Sequence, residues 1–225
     1  FPTRRSSDLI DKVFVTHSHS DHIEGLPYLL DKFGCKELYI KTPNWSRMPA
    51  IELGEWKTKQ YHEAVINKAN SIGAKIIELN SDRTINLTDR TTLRVVNAGN
   101  NDYSNYNNIS LGFLFEFRAV NNTKRRYFIQ ADMSYQSENF VGGQNIGKVD
   151  ILKLGHHGNT NSSSEIWLNY LKPSYSVATL GYPLGTQVKL NAMRCKFVSS
   201  KVFLPNDNPN RSEERRVGKE CPRCV

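Results

Sequence analysis

Apolar and polar residues follow two rhythms along the chain. Short apolar or alternating runs predict strands at 11–16, 37–40, 75–79, 84–87, 92–96, 110–118, 125–130, 150–154 and 176–180. Ile23, Leu26, Leu29, Leu30 and Phe33 recur at helical spacing, which predicts a helix over 23–33 stopped by Gly34. A longer helix is expected over about 55–71, ending at Gly73. A third follows the N-cap pattern Ser162-Ser163-Ser164-Glu165 and runs to Leu171, before Pro173. The segments 110–118 and 125–130 read as an antiparallel hairpin turning at Asn121-Asn122-Thr123-Lys124, and 97–108 as a loop crowded with asparagine. Strands interleaved with helices define an α/β chain without internal repeats.

The chemistry concentrates where the first strand ends, at Thr16-His17-Ser18-His19-Ser20-Asp21-His22. Open α/β sheets bind ligands at strand ends. A lone histidine is ordinarily satisfied by hydrogen bonds, but three histidines and an aspartate within six positions repel one another once charged. A metal is the usual reason to gather them, and the nitrogen-rich set predicts zinc. Residues two apart in extended backbone point the same way, so His17 and His19 converge on one ion while Asp21 and His22 turn toward a second.

Two later strand ends supply further candidates. The strand at 125–130 runs into Ala131-Asp132-Met133, and that at 150–154 into Gly155-His156-His157-Gly158. An aspartate after a strand commonly caps a turn. Adjacent histidines flanked by glycines suit one ligand and one group that touches substrate, and both stay open to either role. His62, the one histidine outside these motifs, lies among Lys57, Lys59, Gln60 and Glu63 and reads as solvent-exposed. Lys153 likewise reads as facing solvent. Tyr103, Tyr106 and Tyr135 could stack bases, although packing is the simpler reading.

Composition refines this picture. The chain has 225 residues, 38% of them hydrophobic, enough for one domain with a real core. No apolar run approaches the roughly 18 residues of a membrane span, and no signal peptide opens the chain. Both ends, 1–9 and 211–225, are polar, arginine-rich and aperiodic, and their sequences resemble translated sequencing-adapter read-through. They are set apart from a domain expected over 10–210. Without them 23 basic and 18 acidic residues remain, a net charge of +5 instead of +8, which permits an anionic substrate. Cys221 and Cys224 fall in the excluded end, while Cys35 and Cys195 read as buried free thiols.

His-x-His-x-Asp-His after a hydrophobic strand resembles the signature of the metallo-β-lactamase fold hydrolases. The resemblance implies a four-layer αββα sandwich of two mixed sheets, N-terminally truncated here because several strands precede the motif in that family. It implies two divalent ions, zinc expected and manganese the alternative. His17, His19 and Asp132 would hold the first, and Asp21, His22, Asp132 and one of His156 or His157 the second. Asp21, His156 and His157 would carry the catalytic roles. The histidine that β-lactamases supply from mid-chain is missing, because none lies between His62 and His156. Asn107 or Asn108, in Asn105-Tyr106-Asn107-Asn108-Ile109-Ser110, could substitute for it. That stretch, with His156-His157-Gly158 and the serines at 162–164, is similar to the hydrolase domain of ComEC-type DNA-uptake proteins. The implied function is hydrolysis of phosphoesters, DNA or RNA among them, in a domain that is cytoplasmic or attached to a membrane protein. The alternatives are hydrolysis of a lactone, thioester or lactam, and an inactive metal-binding fragment.

Overall fold

A computed structural model of the chain describes residues 9–179 and 185–204. The end at 1–8, the end at 211–225 with Cys221 and Cys224, and the last residue of the strand expected over 176–180 lie outside the described residues.

Two sheets form. The smaller joins β1 (Ile10–Phe14), β2 (Cys35–Ile40) and β3 (Lys75–Glu78), in that order and all parallel. The larger contains β4 (Arg83–Asn86), β5 (Thr91–Val96), β6 (Gly112–Arg118), β7 (Lys124–Ile129), β8 (Ile151–Lys153), β9 (Tyr175–Val177) and β10 (Lys201–Phe203), in the order β10-β9-β8-β7-β6-β5-β4. It is antiparallel from β4 to β7 and parallel from β7 to β10. Only the larger sheet is therefore mixed among the described residues. The expected hairpin is β6–β7, in the register Phe113 opposite Ile129.

Strand alternation sorts side chains into layers. On β2, Leu38 and Ile40 face a core with Ile23, Leu30, Val65 and Ala69, whereas Tyr39 faces the other sheet. Phe14 stacks on Tyr39 at 4.5 Å, and both join Leu93, Val95 and Phe113 between the sheets. Leu114, Phe128 and Leu152 point the opposite way, onto Trp167, Leu168 and Val188. Helix, sheet, sheet and helix thus make the four layers.

Two helices differ from expectation. The one over 23–33 is split into α1 (Ser20–Ile23) and α2 (Leu26–Phe33), with Gly25 before α2 and Pro27 in its first turn. A proline there costs no hydrogen bond, because the N–H groups of a helix's first turn have no intrahelical acceptor. The helix expected from about 55 starts later. A separate turn, α3 (Ala50–Leu53), precedes α4 (Thr58–Ser71), and between them Lys57 is left-handed with φ of 52°. Four further elements were not signalled by periodicity: α5 (Tyr135–Val141), α6 (Gly143–Ile146), α8 (Thr186–Phe197) and β10. The helix after Ser164 is α7 (Glu165–Leu171), and the Ser164 side chain accepts from the Trp167 N–H as the N-cap pattern requires.

His62 is buried, not exposed. It shares a face of α4 with Thr58, Val65 and Ala69, whereas its charged sequence neighbours Lys57, Lys59 and Glu63 are exposed. Its Nδ1 lies 3.0 Å from Ser18 Oγ and its Nε2 3.3 Å from Thr42 Oγ1, so it braces the loop that carries His17 and His19. Lys153 is also not solvent-facing. On an interior strand, alternation sends Leu152 to the helix-covered face and Lys153 to the other, where its Nζ is buried without a hydrogen-bond partner. Cys35 and Cys195 are buried free thiols, as expected.

Candidate metal centre

Parallel β7 and β8 end at the same edge of the large sheet, which brings Asp132 beside His156 and His157. The β5–β6 connection, residues 97–111, closes over that edge, and the Leu111 N–H donates to Thr16 O across the two sheets at 2.9 Å. The loop after β1 therefore faces the loops after β7 and β8.

The ligand atoms of Asp21, His22, Asp132 and His157 all lie within 4.8 Å of one another and could hold a metal ion. His157 Nε2 is 3.0 Å from Asp21 Oδ2 and 3.2 Å from His22 Nε2, and His22 Nε2 is 3.3 Å from Asp132 Oδ2. Asp132 Oδ2 also has His17 Nε2 at 3.9 Å and His156 Nε2 at 3.8 Å. His19 Nδ1 is 3.2 Å from His17 Nε2. Every histidine of both motifs thus converges on Asp132 or on a neighbour of it.

The donor set fits divalent metal. Asp132 Oδ1 is buried without a partner, as is Asn107 Oδ1. Burial pushes the Asp132 carboxyl up, but the hydrogen bond to His22 and the charges of His17, His22 and His157 outweigh it and hold it well below the usual carboxylate range. Burial, followed by repulsion from His22, holds His17 well below the ordinary imidazole value; burial also lowers His157. Ionised carboxylate and neutral imidazole are the forms that bind metal.

These directions set a pH dependence. The unfolded histidines take up protons near pH 6.5, whereas folded His17, His62 and His157, all lowered chiefly by burial, do not. Below about pH 6.5 the unfolded state binds more protons, so stability is lost as pH falls. Asp132 adds a loss of the same sign below about pH 4. The chelator-treated protein is expected to unfold at lower urea at pH 5.5 than at 7.5. An equal or higher midpoint at 5.5 would contradict the burial argument.

The two adjacent histidines have different surroundings. Gly155 leaves room that a Cβ would lose, since one would meet Gln130 Nε2 at 2.6 Å and Ser162 Cβ at 2.7 Å. His156 and His157 are both left-handed, with φ of 44° and 59°, a strained conformation outside glycine. Hydrogen bonds from His156 N–H to Ala131 O and from Thr179 N–H to His157 O hold it. His156 Nδ1 donates to Asn161 Oδ1 at 2.9 Å, which leaves Nε2 toward a cavity of about 370 Å³. That cavity is also lined by His19, Asp21, Trp56, Asn107 and Asp132. His157 instead enters the four-residue group.

The asparagines separate in the same way. Asn108 is fully buried, with Nδ2 donating to Asp102 and Ser104 and Oδ1 accepting from Ser134 Oγ. Asn107 lines the cavity, and its Oδ1 is buried without a partner. Tyr103 and Tyr106 are packed: their hydroxyls accept from the Asn44 and Ser18 N–H groups. Tyr135 is half exposed.

Three residues near the site carried no sequence signal of their role. Glu52 is buried against His19, Trp56 is half exposed at the cavity, and Lys153 sits beneath Asp132 and Asp21, whose charges oppose the lowering of its amine by burial. None belongs to a ligand-spaced motif.

A family model described as the metallo-beta-lactamase superfamily matches residues 4–96. With the two-sheet fold and the histidine-aspartate centre, this gives the class that residues 4–96 match, a metallo-beta-lactamase domain. Within that class it is homologous to ComE operon protein 3 and ComA-type competence proteins. ComE operon protein 3 of Bacillus subtilis is 26% identical over 183 residues, 80% of this chain and 21% of that protein. Exodeoxyribonuclease WalJ of Streptococcus pneumoniae is 36% identical over 76 residues, 33% of this chain and 28% of that protein. The chain therefore spans less than a third of the length of either relative. Among solved structures, Zn2+-bound PqqB from Methylobacterium extorquens is 13% identical, covering 88% of this chain and 72% of that one, with a TM-score of 0.48. No helix among the described residues is long and apolar enough to cross a membrane.

Proposed function

We propose that residues 10–210 form a metal-dependent hydrolase that uses a dinuclear zinc centre on phosphodiesters, nucleic acid among them. The observation that carries this reading is the convergence of six ligand-type side chains on Asp132, three of which form with it a group within 4.8 Å of one another. His17, His19 and Asp132, with Asn107 in place of a third imidazole, would hold one ion; Asp21, His22, Asp132 and His157 would hold the other. When bound, such ions lower the pKa of water to about 7 and neutralise charge on a phosphoryl group.

The chain's own residues do the rest. Asp132 Oδ2 lies within 3.9 Å of a nitrogen of His17, His22 and His157, so this carboxylate belongs to both ligand groups. Asp21, exposed at the cavity and 3.0 Å from His157, orients the attacking water. His156, its Nδ1 proton tied to Asn161, keeps an Nε2 lone pair that can take a proton at the cavity and, once it has done so, meets charge that develops on the substrate. Trp56 offers an exposed ring beside it, which supports a substrate with a base to stack. The relative named as an exodeoxyribonuclease and the homologous competence proteins support nucleic acid as substrate class.

The test uses the full chain. Plasma mass spectrometry should find about two zinc or manganese ions per chain. Hydrolysis of bis-p-nitrophenyl phosphate should stop on chelation and return with either metal. Turnover that survives complete chelation would sink the proposal.

A further inference from the structure

The buried carboxylate of Glu52 has no role in the reading above. It lies on α3, in the connection between β2 and α4, and is 2% exposed. Its oxygens lie 3.1 and 3.3 Å from His19 Nε2, and Thr58 Oγ1, also fully buried, donates to it at 2.7 Å. A carboxylate out of water is costly unless it is paired, and an apolar residue would pack here without that cost.

A carboxylate only accepts, so His19 Nε2 must carry the proton and Nδ1 the lone pair. That lone pair faces His17 Nε2 at 3.2 Å and the cavity. The Tyr106 and Trp56 rings pack edge-on against the His19 ring at 4.9 and 5.5 Å, which restrains its plane. Ring orientation and tautomer are both set by groups outside the proposed ligand set.

We propose that Glu52 is the positioning residue of the first metal site: it fixes His19 as the Nε2–H tautomer, Nδ1 toward the metal, and raises that nitrogen's basicity. Carboxylate partners of ligating histidines act in this way. The inference rests on His19 being a ligand, as proposed above. A purely structural alternative exists, because Glu52 also joins α3 to the first turn of α4 through Thr58.

The experiment is stepwise zinc titration of the full chain against a chromophoric chelator, for wild type, Glu52→Gln and Glu52→Ala. One zinc step should weaken about 10- to 100-fold in the alanine variant and less in the glutamine variant, with the other step unmoved. Nitrogen NMR of the metal-free protein should show His19 protonated at Nε2 in wild type and a tautomer mixture in Glu52→Ala. A structural role would lower the melting temperature but leave both zinc steps of the folded protein unchanged, and that result overturns the proposal. If the alanine variant does not fold, the glutamine variant, equal in size, decides by the same criterion. A wild-type chain that takes up no zinc would instead overturn the metal reading itself.

Discussion

Asp132→Ala is expected to lower phosphodiester turnover by at least about 10³-fold, on the scale seen when a preorganised charge-stabilising group is removed. Asp132 Oδ2 lies 3.3 to 3.9 Å from one nitrogen each of His17, His22, His156 and His157, so no other side chain can take its place. Its other oxygen is buried and unpartnered, a costly arrangement for a structural residue and a suitable one for a ligand. Zinc content should fall with turnover, because the aspartate belongs to both ligand groups. Circular dichroism must show that the variant is folded. A folded variant with wild-type zinc content and turnover would remove Asp132 from the centre.

The second large effect separates two neighbours. His157→Ala should lose one zinc ion per chain and about 10³-fold in turnover, since His157 completes the group with Asp21, His22 and Asp132. His156→Ala should keep its metal and lose about 10²- to 10³-fold in kcat, because its Nε2 faces the cavity while Asn161 holds its Nδ1. Metal analysis beside kinetics distinguishes them. If His156→Ala loses an ion and His157→Ala does not, the two roles are reversed.

The legible parts of this protein are those whose cause is local. The His17 to His22 motif could be read because its candidate ligands are close neighbours along the chain, and the strand before it because Val13, Phe14 and Val15 form a continuous apolar run. The hairpin of β6 and β7 and the cap at Ser164 were equally plain, since alternation and an N-cap side chain act over a few residues. Helix 23–33 was misjudged only at its start, where Gly25 and Pro27 shift the first turn.

What was hidden depends on partners distant in sequence. His62 has charged neighbours along the chain, yet 3.6-residue periodicity places it with Val65 and Ala69 against the core, under Ser18. Lys153 reads as a surface lysine until β8 is found between β7 and β9. Glu52 carries no motif at all; only the path from β2 to α4 sets it against His19.

The sequence alone determined the strand and helix pattern, the metal-ligating residue types and the family they resemble, because these follow from side-chain chemistry and short-range periodicity. The tertiary structure decided that His157 rather than His156 joins Asp21, His22 and Asp132, that Asn107 faces the cavity while Asn108 is bound into its loop, and that a buried carboxylate backs His19. Those distinctions arise from which strand ends meet at one edge and how the left-handed turn at 156–157 aims adjacent side chains, and long-range packing sets both.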